Sequence, residues 1–186
     1  SVQTARINTT VDTAVFEDTH VRVVDLDGDG CNEAVVTTAS QEKGAFVSVY
    51  GFDPIKRFNP DGRRDEQTES GPRPKPLGQS TPIGTRYRWL AIAGIADFDG
   101  DGIQDIAYVD RPHLAKTLRI LRTIPRGKIN GRQMFGFSEL ASLSGVTNHH
   151  HGSPVIEGGL RNCDADGPVI VTADSAWENV IETRMT

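Results

Sequence analysis

One acidic phrase occurs twice in this chain, as DLDGDGCNE from Asp25 to Glu33 and as DFDGDGIQD from Asp97 to Asp105, 72 residues apart. Carboxylates at alternate positions repel and raise one another's pKa, so a fold that crowds them must supply compensation. Aligning the two stretches extends the likeness outward. VRVVDLDGDGCNEAVVTTASQEKGAFVSVYG lies against AGIADFDGDGIQDIAYVDRPHLAKTLRILR. Each reads as an apolar strand, an acidic loop, a second strand, a polar turn and a third strand. The third strands alternate, with Phe46, Val47 and Val49 in one and Leu118, Ile120 and Leu121 in the other. A period near two specifies strands rather than helices.

A worn third copy, VIEGGLRNCDADGPVIVTADSAWENVIETRM, keeps Asn162, Asp164 and Asp166 but has no acid at the ninth place. Repeats of three or four strands at this spacing predict propeller blades or a related array. The expected organisation is one domain over residues 1–186, with blades around 11–50, 85–140 and 146–186. A mobile excursion is expected over 51–84, where Leu77 is the only large apolar residue of the Pro-rich run Asn59 to Pro82. Nineteen Gly and ten Pro fit a fold rich in turns.

A cage of oxygen ligands explains the acids. Ca²⁺ takes six to eight oxygens, and alternate side chains of a tight loop point inward. Asp25, Asp27, Asp29 and Glu33, with the Cys31 carbonyl, would form one cage. Asp97, Asp99, Asp101 and Asp105, with the Ile103 carbonyl, would form the second. Gly28, Gly30, Gly100 and Gly102 permit the sharp reversal. An EF-hand shares the first positions but needs a bidentate acid at position twelve and flanking helices. Here position twelve is Val36 or Tyr108, between strands. A dinucleotide site is excluded because the acids would repel a pyrophosphate. The third loop carries too little charge, so two Ca²⁺ per chain are expected.

These motifs between apolar strands resemble FG-GAP/VCBS repeats, the calcium-loop blades of integrin-type β-propellers. The resemblance covers most of the chain outside 51–84. It implies an all-β fold, a small or partial propeller, with calcium in the hairpins and a secreted, periplasmic or cell-surface setting. Three blades are fewer than a closed ring usually has, so closure would recruit Val2 to Phe16 or the strands near Met134 to Leu140. The implied function is a calcium-stabilised module for a protein or glycan partner, with the metal as a structural staple. The alternative is a propeller-fold hydrolase or lyase with its site opposite the calcium loops. No nucleophile elbow, phosphate loop or zinc-protease motif is present to support catalysis.

A formal charge of −5 argues against nucleic acid, and no apolar stretch approaches a membrane span. Cys31 and Cys163 leave one disulfide or two thiols open. If the acidic loops all lie on one face, the other connections share the opposite face. That face would carry the candidate ligand-binding residues Arg86, Arg88, Trp89, Arg111, His113, Lys116, His149 and Trp177. Arg and aromatic residues carry much of the binding energy at interfaces. His149, His150 and His151 have the chemistry to hold a transition metal, yet successive side chains of an extended segment alternate, so the three are not expected to converge.

Overall fold

A computed structural model describes residues 14–18, 20–52, 74–84, 86–162 and 167–186. Among them there is no helix, and the strands assemble into three antiparallel sheets, none closed on itself. The first sheet comprises β1 (Ala14–Phe16), β2 (Arg22–Val24), β3 (Glu33–Ser40), β4 (Gly44–Phe52) and β5 (Pro74–Gln79). Both β1 and β2 pair with β3, so they act as one interrupted edge strand and the five strands form a meander four positions wide. The second sheet is an uninterrupted meander of β6 (Leu90–Ala96), β7 (Asp105–Asp110), β8 (Thr117–Ile129) and β9 (Arg132–Ser144). The third repeats the split edge: β10 (Val146–Thr147) and β11 (Gly159–Arg161) pair with β12 (Val169–Asp174), followed by β13 (Val180–Thr183).

The alternating sequence explains the packing. Val35, Val47 and Val49 from the first sheet meet Leu90, Ile92, Ile106, Tyr108 and Leu121 from the second in one buried cluster. The other face of the second sheet places Ala107, Val109, Leu118 and Ile120 against Val146 and Ile170 of the third. The middle sheet is thus buried on both faces, and β7 is buried at every position. Asn130-Gly131 joins β8 to β9, with φ of 51° and 80°, as a two-residue hairpin turn needs.

The excursion expected over 51–84 is shorter among the described residues. β4 continues through Phe52, and Pro74–Gln79 form the outer strand β5. Sequence reading leaves this Pro-rich segment outside the core because Leu77 is its only large apolar residue, but an outer strand tolerates Pro and one buried side chain anchors it. Leu77 is 2% exposed and joins the first core cluster. Gly78 explains how β5 also reaches β9, since a Cβ there would lie 2.5 Å from the Phe135 carbonyl oxygen. Of the segments named for ring closure, Ala14–Phe16 edge the first sheet and Met134 to Leu140 run inside β9, while residues 2–13 lie outside the described residues.

Candidate functional sites: two acidic loops and the opposite face

Each acidic loop connects antiparallel neighbours, β2 to β3 and β6 to β7. The same hydrogen bonds organise both. Asp25 Oδ1 accepts from the amides of Gly28 at 2.8 Å and Asp29 at 3.1 Å, and its Oδ2 accepts from Gly30 at 2.9 Å. Asp97 accepts from Gly100, Asp101 and Gly102 at 2.7, 3.2 and 2.9 Å. The glycines stand at positive φ, 75° and 85° in the first loop and 78° and 87° in the second, where a Cβ would be strained. The ninth-position acids hold the loop base: Glu33 Oε2 accepts from Leu26 N, and Asp105 Oδ2 from Phe98 N. Asp105 Oδ1 also accepts from Thr123 N on β8.

Oxygens of Asp25, Asp27 and Asp29 gather within 4.8 Å of one another, as do those of Asp97, Asp99 and Asp105. Asp101 instead accepts from Ile103 N at 2.8 Å, and Glu33 lies outside the first trio. Burial, with repulsion from the loop aspartates, pushes the Glu33 carboxyl up to about 7; burial also raises Asp105 to about 6. Both loops therefore concentrate negative charge that the surrounding backbone amides only partly offset.

The electrostatic settings then diverge. Asp27 Oδ1 is shielded from solvent and has no hydrogen-bond partner. Its counterpart Asp99 accepts a charge-assisted bond from Arg122 Nη2. Strand register explains the difference. Ala34 pairs with Tyr50 and Ile106 with Leu121, so Arg122 in β8 occupies the place of Gly51 in β4.

The loops lie side by side, because Gln104 N donates to the Leu26 carbonyl at 2.9 Å. Cys31 is exposed in the first loop. Cys163, Asp164 and Asp166 fall outside the described residues, and with them the pairing of the cysteines and the third loop; Asn162 is exposed.

At the other strand ends, connections from all three sheets meet. Trp89 Nε1 donates to the Glu17 carbonyl, and its ring stands edge-on to His149 at 4.7 Å. Thr147 Oγ1 donates to the Pro112 carbonyl at 2.8 Å, and Lys116 Nζ to the Ser175 carbonyl at 2.6 Å. Trp177, 37% exposed, leans on His150 at 5.3 Å. Of the candidate residues, Trp89, His113 and His149 come into contact, while most of the others carry structural bonds. Arg86 Nε donates to the Gln41 carbonyl, Arg88 Nη1 to the Tyr87 carbonyl, and Arg111 pairs with Asp110. Tyr87, Arg111, Lys116 and Trp177 adopt positive φ of 53°, 46°, 48° and 62°, strain of the kind that recurs at binding and catalytic sites.

A cleft of about 280 Å³ lies between the first two sheets, lined among others by Ser80, Tyr108, Asp110, Arg119 and Glu139. It was not legible in sequence because its walls come from strands far apart in the chain. Asp110 is held by Arg111 and Arg119, and Arg119 also bonds Glu139 at 2.5 Å. Its acids are thus engaged by guanidinium groups, and no His lines it. No helix among the described residues is long and apolar enough to cross a membrane. Comparison of the chain with family models, curated proteins and solved structures finds no match.

Proposed function

We propose that the chain is a calcium-stabilised, extracytoplasmic binding module of the FG-GAP/VCBS type, with propeller-like blades and two structural Ca²⁺ sites. The observation that carries this reading is the shared architecture of the two loops. One Asp orders each loop through three amides, and further carboxylate oxygens converge beside it. The donors are all hard oxygens, which suits Ca²⁺ rather than a thiophilic metal. The shielded, unpartnered oxygen of Asp27 fits a cation as ligand. Asp25, Asp27 and Asp29 would hold one ion and Asp97, Asp99 and Asp105 the other, with Glu33, Asp101 and the carbonyls of Cys31 and Ile103 as further candidates. The ions would neutralise crowded acids and tie each hairpin where its sheet is thinnest.

Recognition of a protein or glycan belongs to the opposite face, whose loops differ from one another on a rigid support. The cleft supports binding over hydrolysis or lysis because its carboxylates are already paired with arginine. Calorimetric titration of chelator-treated protein tests the calcium reading. Two sites of unequal affinity are expected, with a rise in melting temperature on filling. No calcium-dependent heat and no melting shift at neutral pH would refute it.

A further inference from the structure

The opposite face holds a second set of metal-ligand chemistry, unrelated to the acidic loops. His113 follows β7, whereas His149 and His151 follow β10. The His113 and His149 rings lie 5.0 Å apart, and those of His113 and His151 5.1 Å apart. His113 Nε2 approaches His149 Nδ1 at 2.8 Å, while His149 Nε2 faces the Ser153 carbonyl at 2.9 Å. A carbonyl only accepts, so His149 carries its proton on Nε2 and offers a bare Nδ1 lone pair. This matches metal-binding histidines, whose second ring nitrogen donates to a carbonyl or carboxylate that fixes the tautomer.

We propose that His113, His149 and His151 form a binding site for a divalent transition-metal ion of the zinc class. Imidazole nitrogens on tetrahedral Zn²⁺ stand about 3.3 Å apart at Zn–N distances of about 2.0–2.1 Å. The pair at 2.8 Å needs to open by only about half an ångström. His113 shifts its proton from Nε2 to its exposed Nδ1 side and remains neutral, so the exchange releases no proton from a neutral ring. His151, whose ring stands beside His113, would have to rotate to bring a ring nitrogen to the ion; it sits in the turn closed by Ser153 N donating to the His150 carbonyl at 2.9 Å. His150 is not a ligand, because its ring turns to Trp177. Three imidazoles leave a fourth position toward solvent, open to water or a donor from a partner.

The support is rigid. Thr147 ties the two loops together through the Pro112 carbonyl, and buried Asn148 donates to the Ala91 carbonyl at 3.2 Å. Trp89 walls one side of His149. Glu157 Oε2 bonds the His150 amide at 3.1 Å and adds negative charge beside the cluster.

The test is zinc competition against a chromophoric chelator, using untagged full-length chain at pH 7.5 with millimolar calcium filling the acidic loops. One Zn²⁺ per chain is expected, with affinity at least tenfold weaker in His113→Gln and His149→Ala and unchanged in His150→Ala. Co²⁺ should give the intense visible bands of a tetrahedral nitrogen site. His113 is exposed, so its replacement keeps the test open if His149→Ala fails to fold. No binding, or zinc affinity unchanged by both substitutions, overturns the proposal. So does zinc affinity lost only in Asp25→Ala or Asp97→Ala. Calcium titration of the same variants separates this site from the acidic loops, since neither His substitution should alter it.

Discussion

The two acidic loops share almost every backbone bond yet differ in how their charge is met. In the first, a shielded oxygen of Asp27 stands without a donor; in the second, Arg122 reaches Asp99. The difference originates at one ladder position, where β4 carries Gly51 and β8 carries Arg122. A Cβ at Gly51 would come within 2.7 Å of Leu77 Cδ1, so close packing of β5 coincides with the absence of an internal cation. A repeated motif therefore sets the shape of an acidic loop, while the next strand sets its electrostatics. The first loop is predicted to bind calcium more tightly.

The largest effect should come from removing the organising acid. Asp25→Ala leaves three amide donors without their acceptor and removes a ligand, and should abolish the tighter calcium site. The stability cost is expected at about 2–4 kcal/mol in calcium, read by titration and denaturant unfolding. Asp97→Ala should remove the weaker site. If it instead removes the tighter one, the comparison is inverted.

The pH response is the next largest. The folded pKa values of Glu33 and Asp105 are raised above their unfolded values, so the calcium-free native state holds more protons between about pH 4.5 and the folded values of about 7 and 6. Stability in chelator should therefore fall as pH rises through that window, by on the order of 1–3 kcal/mol. Calcium requires the ionised acids, so saturating calcium should flatten or reverse the trend. Melting curves at pH 5 and pH 7.5, with and without the ion, measure both slopes.

Arg122→Met removes the guanidinium paired with Asp99, which on the calcium reading would compete with the ion. The second site should then tighten by about tenfold, leaving the first unchanged. Weaker binding at the second loop would show that Arg122 assists the site rather than competing with it. The smallest effect is expected from Gly51→Ala. The clash falls on the far end of the flexible Leu77 side chain, and Ala gains over Gly in a strand, so the change should stay within about 1 kcal/mol. A larger loss in thermal unfolding would show that the contact with β5 is stiffer than the geometry implies.

Much of this arrangement was legible in sequence because it is local. The DxDxDG spacing brings amides onto the leading Asp, as the bonds to Asp25 and Asp97 show. Alternation predicts that the three successive histidines do not all converge; the His150 ring lies against Trp177, while the His149 and His151 rings stand beside His113. The Pro-rich stretch hides β5 because a lone Leu77 gives no apolar alternation to read, and its burial depends on packing against distant strands. The individual roles of the binding candidates were also hidden. Nothing local in GTRYRWL indicates that the Trp89 indole is claimed by the Glu17 carbonyl, 72 residues away.

The sequence by itself determined the hairpins, the turn glycines and the period-two pattern of the strands, since these depend on neighbours within a few residues. Tertiary structure alone decided that Arg122 meets Asp99, that His113 joins His149 and that Leu77 is buried. Those contacts depend on register and sheet packing, where a shift of one residue turns each side chain to the other face.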